Sequence, residues 1–239
     1  MKVTIVAEIA SNWEGNVTKA KKLIKECKKA GADAVKFQAW RAIDLYDEKH
    51  PNWKEIKKSE LTFENIKLLK DFAGKNKIDF FCSSFYPEAV EFLDSLNVKM
   101  HKVASRTCLF KDPCSYETLQ KKAKTGKPII ISMGMGGDKN KIKKIFSKNK
   151  VTFCYCISEY PTAFNRIQWN EAKKYDGFSD HTLGITAPIV FSILKKQQGA
   201  KHVIIEKHVK LKNSKGPDAS SSIDTSQLTE MVSMIRKIR

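Results

Sequence analysis

The sequence predicts an α/β protein that forms a single (β/α)8 TIM barrel over residues 1–239. Three observations lead to this prediction: eight short apolar runs, amphipathic stretches between them, and a chain of 239 residues, which suits one barrel. Strands this hydrophobic, each followed by a helix that crosses back over the sheet, are typical of parallel pairing with both faces covered. No linker or composition break divides the chain, so one domain is the economical interpretation.

The predicted strands are rich in β-branched residues and are bounded by polar or turn residues. They lie at residues 3–8, 33–38, 79–84, 100–104, 128–132, 151–157, 175–179 and 202–208. Apolar residues at helical spacing lie between them, as at Leu23, Cys27 and Ala30. A last helix is expected near residues 225–238.

Lysine supplies most of the net charge of +18, which comes from 44 Lys and Arg residues against 26 Asp and Glu residues. Most of the excess lies in amphipathic stretches such as 21–29 and 139–150, whose charged faces we expect to be solvated. The resulting positive field would attract polyanions or a small phosphorylated substrate. No motif interleaves aromatic residues with these lysines, so specific nucleic-acid binding is not expected.

No window approaches the roughly 18 consecutive apolar residues of a membrane span, and the first 15 residues lack a signal-peptide pattern. We therefore expect a cytoplasmic protein with no membrane partner. The six cysteines fall at no zinc-like spacing and are expected to be free thiols packed as small hydrophobic residues.

Polar residues gather where the predicted strands end, which is where (β/α)8 barrels build their active sites. They are Glu8, Ser11, Asn12, Lys36, Gln38, Ser83, Ser84, Lys102, Ser105, Ser132, Ser158, Tyr160, Ser179, Asp180, His181, Glu206 and His208. Lys36 and Lys102 lie inside apolar strands, so each is expected to face an anionic ligand or a carboxylate. A buried pair with Glu8 or Glu206 is one interpretation. The convergence of lysines, hydroxyls and histidines on one rim favours an anionic-ligand site.

Eight segments carry a family resemblance. They are AEIASNWEGN, VKFQ, FFCSSF, KVAS, IISMGM, CISEYPT, GFSDHTLG and EKHVKLKNSKGPDASSS, within about residues 4–222. In this order and spacing they resemble the N-acetylneuraminate (sialic acid) synthase family, which includes legionaminate, pseudaminate and spore-coat polysaccharide synthases. The succession of GFSDHTLG, IEKH and GPD is the most specific part. The family folds as a (β/α)8 barrel, in agreement with the strand pattern.

The resemblance implies a metal-assisted condensation of phosphoenolpyruvate with an N-acetylated amino-sugar aldehyde, which gives a nonulosonic (sialic-type) acid and phosphate. It implies that His181 and His208 bind manganese or magnesium. Imidazoles on adjacent parallel strands can also converge on one ion and leave positions for water and substrate. Glu8 and Glu206 are the candidates for proton transfer, whereas His50 and His101 are expected to be structural.

The resemblance also implies which side chains hold the two substrates. Ammonium groups and hydroxyls would bind the anionic oxygens of phosphoenolpyruvate. These residues are Lys36, Ser84, Lys102, Ser105 and Ser179 for phosphoenolpyruvate, and Gln38, Arg106, Tyr160 and Asp218 for the sugar.

Several positions depart from the family pattern. Arg106 and Thr107 stand where sialic acid synthases usually have Gly-Glu, which implies a different acceptor. Arg106 either holds an anionic group of that acceptor or pairs with a surface acid. The other departures are Trp13, Ser158, Glu159 and Ala219.

Family members usually continue into an antifreeze-like (SAF) domain, so this chain is expected to be the barrel alone. Besides the two small-molecule substrates, the partners that remain open are a second copy in a homodimer and a separate antifreeze-like protein. Two other functions also stay open. One is another phosphoenolpyruvate or pyruvate carbon–carbon bond enzyme, in which a lysine such as Lys102 forms a Schiff base. The other is a non-catalytic sugar-binding remnant.

Overall fold

The computed structural model describes residues 1–238 and confirms the predicted (β/α)8 barrel. Eight parallel strands pair in chain order, and the eighth returns to pair with the first, which closes the sheet. A short ninth strand extends the pairing beside the end of the eighth. Because every strand runs in the same direction, all eight carboxyl ends open on one rim.

The strands are β1 (Lys2–Glu8), β2 (Ala34–Ala39), β3 (Asp79–Ser84), β4 (His101–Val103), β5 (Ile129–Ser132), β6 (Val151–Cys156), β7 (Gly177–Asp180), β8 (His202–Lys210) and β9 (Ile223–Asp224). The helices are α1 (Val17–Lys29), α2 (Ala42–Leu45), α3 (Trp53–Lys58), α4 (Phe63–Lys75), α5 (Pro87–Ser95), α6 (Ser115–Lys124), α7 (Lys139–Ile145), α8 (Trp169–Ala172), α9 (Thr186–Gln197) and α10 (Thr225–Lys237).

Each predicted strand is present, with limits that shift by a few residues. Strand β7 begins at Gly177 rather than at 175, because the Tyr175 amide still donates to Ala172 in the turn that follows α8. Strand β8 continues to Lys210 rather than ending at 208, because its last residues pair with β9. Strand β4 has only three residues and is shorter than predicted.

The helices bury their predicted apolar faces against the barrel. Leu23, Cys27 and Leu69 are fully buried in the core that lies between the strands and the helices. Side-chain caps define helix starts: Asn16 accepts from the Lys19 amide at α1, and Asp224 forms a capping box with Gln227 at α10. The Asp224 cap starts α10 at Thr225, where the sequence predicts that the last helix begins.

All six cysteines are free, as predicted, but Cys114 is exposed rather than packed inside. Cys114 directly precedes α6 in a left-handed conformation, so it lies at a helix start on the surface and not on a buried strand or helix face. None of the helices in residues 1–238 has the length and apolar character needed to span a bilayer.

The packing between β6 and β7 allows a test of the core. Gly177 pairs with Cys154, and a Cβ added to Gly177 would lie 2.4 Å from the Cys154 Sγ. We expect Gly177→Ala to lower the free energy of unfolding by about 1–3 kcal/mol, because the buried neighbours must shift. Gly74 in α4 has open space around an added Cβ, so Gly74→Ala should raise stability by about 0.5–1 kcal/mol. Urea unfolding of both variants measures the difference, and equal stabilities would contradict this account of the β6–β7 contact.

Candidate active site

A cavity of about 600 Å³ opens at the carboxyl ends of the strands, where the sequence places the site. It collects every predicted site residue except Ser84. The predicted residues that line it are Glu8, Lys36, Gln38, Lys102, Ser105, Arg106, Tyr160, Ser179, His181, Glu206, His208 and Asp218. These side chains come from six of the eight barrel strands or the loops that follow them and converge on one space.

Strand register sets the level of the charged side chains inside the barrel. Glu8 on β1 lies opposite Lys36 on β2 and also opposite His208 on β8. Ser179 on β7 lies opposite Glu206 on β8. Residues at one register level whose side chains point inward are neighbours across the barrel interior, so these groups meet without any loop rearrangement.

Two buried lysines and two buried glutamates form a connected ion network on the cavity floor. The Lys36 ammonium contacts the Glu8 carboxylate and lies 3.7 Å from Glu206 Oε2. The Lys102 Nζ donates to Glu206 Oε1 at 3.0 Å and to the Ser132 hydroxyl at 2.7 Å. Each lysine therefore pairs with a glutamate, as one interpretation expected, and each also lines the cavity.

Serine hydroxyls complete the network. The Lys36 Nζ donates to the Ser83 hydroxyl at 3.0 Å, and the Ser179 hydroxyl donates to Glu206 Oε1 at 2.6 Å. The Ser105 hydroxyl accepts from the Gly134 amide at 2.9 Å, which fixes it above Lys102. Hydroxyls can donate or accept, so they can turn toward an anionic ligand when one binds.

Burial and charge pairing shift the pKa values of Glu206, Lys36 and Lys102 by different amounts and in different directions. Burial would raise the pKa of Glu206, but the Lys102 and Lys36 ammonium groups and the Ser179 hydroxyl hold it well below its usual range. Burial lowers the pKa of Lys36 to about 8, against the opposing effect of Glu206. Burial also acts to lower the pKa of Lys102, yet its closer contact with Glu206 raises it overall. At neutral pH Glu206 is therefore a carboxylate and Lys102 is an ammonium.

His181 and His208 stand side by side at the ends of β7 and β8, with ring centroids 5.4 Å apart. The His181 Nδ1 donates to the Ile157 carbonyl at 2.7 Å, which leaves Nε2 with its lone pair. Burial lowers the pKa of both imidazoles, and that of His208 falls further because His181 and Lys36 are close. Both rings are therefore neutral at pH 7.

Neutral imidazoles with an oriented Nδ1–H bond are the form in which histidine binds a divalent metal ion. The His208 Nδ1 and Glu206 Oε2 are buried without a hydrogen-bond partner in residues 1–238. Over the same residues, no group of three or more His, Cys, Asp or Glu side chains could hold a metal by itself. The pair thus fits a metal whose remaining positions are filled by water and substrate oxygens.

The outer part of the cavity carries the residues predicted to contact the sugar. The Tyr160 ring lies over the histidines, with its centroid 4.1 Å from that of His181. The Arg106 guanidinium binds Asp112 through two hydrogen bonds of 2.8 and 2.7 Å, and its side chain is 36% exposed. Arg106 therefore pairs with an acid, as one interpretation predicted, but it does so at the cavity mouth.

Asp218 ties the loop after β8 to the loop after β1. Its Oδ2 accepts from the Ser11 amide at 2.9 Å, and burial raises its pKa despite that bond and the nearby Lys36. The Asn12 amide donates to Val209 and to Ser222 on the same side. Ser11 and Asn12 therefore support the rim of the cavity, and Asp218 lines it.

The prediction that Ser84 lies in the site is wrong. Its hydroxyl is buried without a partner and does not line the cavity, whereas the neighbouring Ser83 does. Successive strand residues point to opposite sides, so only one of the two serines can point inward, and the register pairs Ser83 with Gln38. The cavity also does not include His50, His101 or Asp180. Asp180 forms a fully buried pair with Lys207 instead.

Other residues line the cavity that the sequence did not assign to a substrate. They are Tyr46, Ser83, Phe85, Ala104, Leu109, Lys111, Asp112, Ser132, Met135, Cys156 and Ser158. The sequence did indicate Ser83, Ser132 and Ser158 as candidates, because they are among the polar residues at the ends of predicted strands. The residues of 104–112 follow the short β4 in a turn whose path no strand pattern predicts.

Comparisons with known proteins identify a family and several relatives that this chain resembles. A sequence model of the NeuB family matches residues 23–239. The chain is 33% identical over 267 residues to N,N'-diacetyllegionaminic acid synthase of Campylobacter jejuni, a match that covers 100% of this chain and 77% of that protein. It is 31% identical over 260 residues to N-acetylneuraminate-9-phosphate synthase of Mus musculus, covering 98% of this chain and 69% of that protein.

Among solved structures, the chain resembles N-acetylneuraminic acid (sialic acid) synthetase of Leptospira borgpetersenii in complex with citrate. The TM-score is 0.88 at 26% sequence identity, and the match covers 100% of this chain and 84% of that chain.

The ion network predicts a specific pattern of stability. We expect Glu206→Gln to lower the free energy of unfolding by about 3–5 kcal/mol, because it leaves the Lys102 ammonium buried beside a neutral amide. Adding Lys102→Met to Glu206→Gln should recover part of that loss. The loss of unfolding free energy in the double variant should be smaller, by about 1–3 kcal/mol, than the sum of the losses in the two single variants. Urea denaturation of the four proteins measures this coupling. Additive losses would mean that the two side chains do not interact.

Proposed function

Because this chain belongs to the NeuB family, we propose that it condenses phosphoenolpyruvate with an N-acetylated amino-sugar aldehyde to give a nonulosonic acid and phosphate. The observation that carries the proposal is the meeting of the Lys36–Glu8–Glu206–Lys102 network with the His181–His208 pair in one cavity. An anion site beside a two-histidine metal site is what this chemistry requires.

The two lysines are the proposed phosphoenolpyruvate ligands. Lys36 and Lys102 would donate charge-assisted hydrogen bonds to its phosphate and carboxylate oxygens. Ser83, Ser105 and Ser179 line the same part of the cavity, and their hydroxyls would complete the oxygen contacts. Ser83 takes the place that the resemblance gave to Ser84, because its hydroxyl already accepts from Lys36.

His181 and His208 are the proposed ligands of manganese or magnesium. When bound there, the ion would polarise the aldehyde oxygen of the acceptor and make its carbon electrophilic. The Ile157 carbonyl orients His181 for this role through its Nδ1–H. The Tyr160 ring lies next to both imidazoles and would shield a bound ion from part of the solvent.

The reaction joins C3 of phosphoenolpyruvate to the aldehyde carbon, adds water at C2 and breaks the C2–O bond to phosphate. The added water loses both of its protons as its oxygen becomes the C2 carbonyl. One proton goes to the aldehyde oxygen, which becomes a hydroxyl, and the other goes to the departing phosphate. Glu206 stays a carboxylate, but a pKa held well below the usual range makes it a weak base, so it would orient that water by accepting a hydrogen bond from it. Glu8 contacts Lys36 on the opposite side and would share the orientation of the water.

A Schiff-base mechanism is less well supported by the lysines. It needs an unprotonated amine, whereas Glu206 outweighs the burial of Lys102 and raises its pKa. Burial brings the pKa of Lys36 to about 8, but Lys36 contacts Glu8 and hydrogen-bonds Ser83, which hold its nitrogen in place. Phosphate release and not pyruvate capture is therefore the proposed outcome.

The relatives differ in the acid that their names specify, so the acceptor of this chain is part of the proposal. Arg106 and Lys111 line the cavity mouth, and Asp112 holds the Arg106 guanidinium plane. We take the acceptor to carry an anionic group near Arg106. The partners of this chain also stay a prediction. It is active as a barrel alone, as a homodimer or together with an antifreeze-like protein.

The first test is phosphate release from phosphoenolpyruvate across a panel of N-acetylhexosamines, with manganese, with magnesium and with chelator. We expect release with at least one sugar, loss of release with chelator, and loss in His208→Ala with the fold retained. His202→Ala is the matched control, since His202 hydrogen-bonds Thr4 at the other end of the barrel. Chelator-resistant release would contradict the metal assignment. A pyruvate adduct on Lys36 after borohydride treatment would instead support a Schiff-base enzyme.

The second test compares N-acetylmannosamine with its 6-phosphate in the wild type and in Arg106→Ala. We expect the substitution to lower kcat/KM for the phosphorylated sugar by about tenfold, because a charge-assisted contact is lost. Arg166→Ala is the control, because Arg166 pairs with Glu159 on the surface. If both sugars react equally well and Arg106→Ala changes neither rate, Arg106 has no part in acceptor recognition.

A further inference from the structure

The pairing between β3 and β4 is the sparsest in the barrel. Strand β4 has three residues, and only Ser83 and Lys102 pair across to β3. The β1–β8 pairing, by contrast, runs continuously from Lys2 to Glu8. The two residues that meet at the sparse pairing are both cavity residues proposed to bind phosphoenolpyruvate. Their spacing therefore depends on something other than a strand ladder.

Helix α6 supplies the missing hydrogen bonds from outside the barrel. The Lys122 Nζ donates to the Ser84 carbonyl at 2.7 Å and to the Lys102 carbonyl at 2.9 Å, so one nitrogen bridges the two strands. One turn earlier, the Thr118 hydroxyl approaches the Phe85 carbonyl at 3.3 Å. Both carbonyls that Lys122 contacts lie beside the proposed ligands Ser83 and Lys102.

Lys122 is buried in a way that calls for an explanation. Its side chain is fully buried, and it makes no ion pair with an acid in residues 1–238. A buried ammonium without a carboxylate is unfavourable, and replacing such a lysine with an apolar residue of similar shape often stabilises a protein. Leu119, one turn earlier on α6, is a buried apolar residue, so Lys122 is a polar exception on the buried face of this helix.

Two donors and two carbonyls match the hydrogen-bonding capacity of a neutral amine. Burial lowers the pKa of Lys122 to about 7, with Cys108 opposing and Lys102 and Lys36 adding to the effect. Cys82 on β3 and His101 on β4 are the other titratable groups that face it. In its neutral form Lys122 can satisfy both carbonyls without leaving a charge in the barrel wall.

We propose that Lys122 is a positioning residue that holds β3 and β4 together so that Ser83 and Lys102 stand at the spacing needed for phosphoenolpyruvate. This inference rests on the proposed function of those two residues. Lys122 touches neither the cavity nor a substrate, and it acts only through the two backbone carbonyls. Its loss should therefore weaken phosphoenolpyruvate binding more than it slows the reaction of bound substrate.

Lys195 on α9 provides a matched control. It is also a buried lysine on a barrel helix, and its Nζ donates to the Lys173 carbonyl at 3.2 Å and to Asp176 at 3.3 Å. Asp176 lies just before β7, so Lys195 acts at the amino-terminal rim, away from the cavity. If loss of helix packing caused the effect, substitution of either lysine would weaken binding. If loss of the β3–β4 bridge caused it, only substitution of Lys122 would do so.

The experiment measures phosphoenolpyruvate binding to the full chain with manganese by calorimetry, and kcat and KM where turnover is found. We expect Lys122→Met to raise the dissociation constant and KM by about tenfold and to change kcat by less than about threefold. Lys122→Gln keeps two N–H donors and should recover part of the affinity. Lys195→Met should stay within about twofold of the wild type. An unchanged dissociation constant in Lys122→Met, or an equal loss in Lys195→Met, would overturn the inference.

Hydrogen exchange provides a readout that does not depend on phosphoenolpyruvate. Amides of residues 84–86 and 102–105 should exchange about fivefold faster in Lys122→Met than in the wild type, with no such change in Lys195→Met. If the wild type binds no phosphoenolpyruvate, the proposed function fails, while this exchange still decides whether Lys122 holds the strands. Unchanged exchange overturns the inference. Lys122→Leu, which also lacks both N–H donors, gives the same comparison if Lys122→Met does not fold.

Discussion

The register of β1 is the constraint on which the rest of the site depends. Strand β1 pairs with β2 on one side and with β8 on the other, and Glu8 at its end lies opposite both Lys36 and His208. A shift of one residue would turn Glu8 toward the helices and remove the carboxylate that compensates Lys36. Barrel closure and site assembly are therefore the same structural event.

The charge network that follows from this register is balanced before any ligand enters. Glu206 interacts with both lysines, and Glu8 contacts one of them. A balanced network lets two ammonium groups stay buried at a tolerable cost, because each has a carboxylate and a hydroxyl within reach. An anion that enters the cavity would therefore interact with ammonium groups that already contact the glutamates. Serine hydroxyls around the network can reorient to share the new charge.

The cavity divides into a floor made by barrel strands and a mouth made by the loops that follow them. The floor is made by strand residues such as Lys36 and Glu206, whose positions follow from backbone pairing. The mouth is made by the turn after β4 and the loop after β6, which carry Arg106 and Tyr160. Residues on loops can change without disturbing the barrel, so substitutions at the mouth are tolerated more easily than substitutions on the floor.

Much of the site was predictable because its signals are local. Lysines within apolar strands, polar residues at strand ends and the SDH and EKH motifs all stand in short stretches of sequence. The barrel makes these stretches meet, since parallel strands present their carboxyl ends on one rim. For the same reason the strand count and order were correct, although limits such as the end of β8 were not.

The tertiary structure decided what local patterns leave open. Both faces of a barrel strand are buried. For two consecutive serines such as Ser83 and Ser84, the sequence therefore does not indicate which side chain points into the barrel. The register with β2 decides in favour of Ser83. Lys122 is one lysine among many on a helix, and only its packing behind β3 and β4 distinguishes it. Sequence alone determined the alternation and the chemistry available on each strand. The closed barrel decided which side chains face one another, because inside and outside exist only after the last strand pairs with the first.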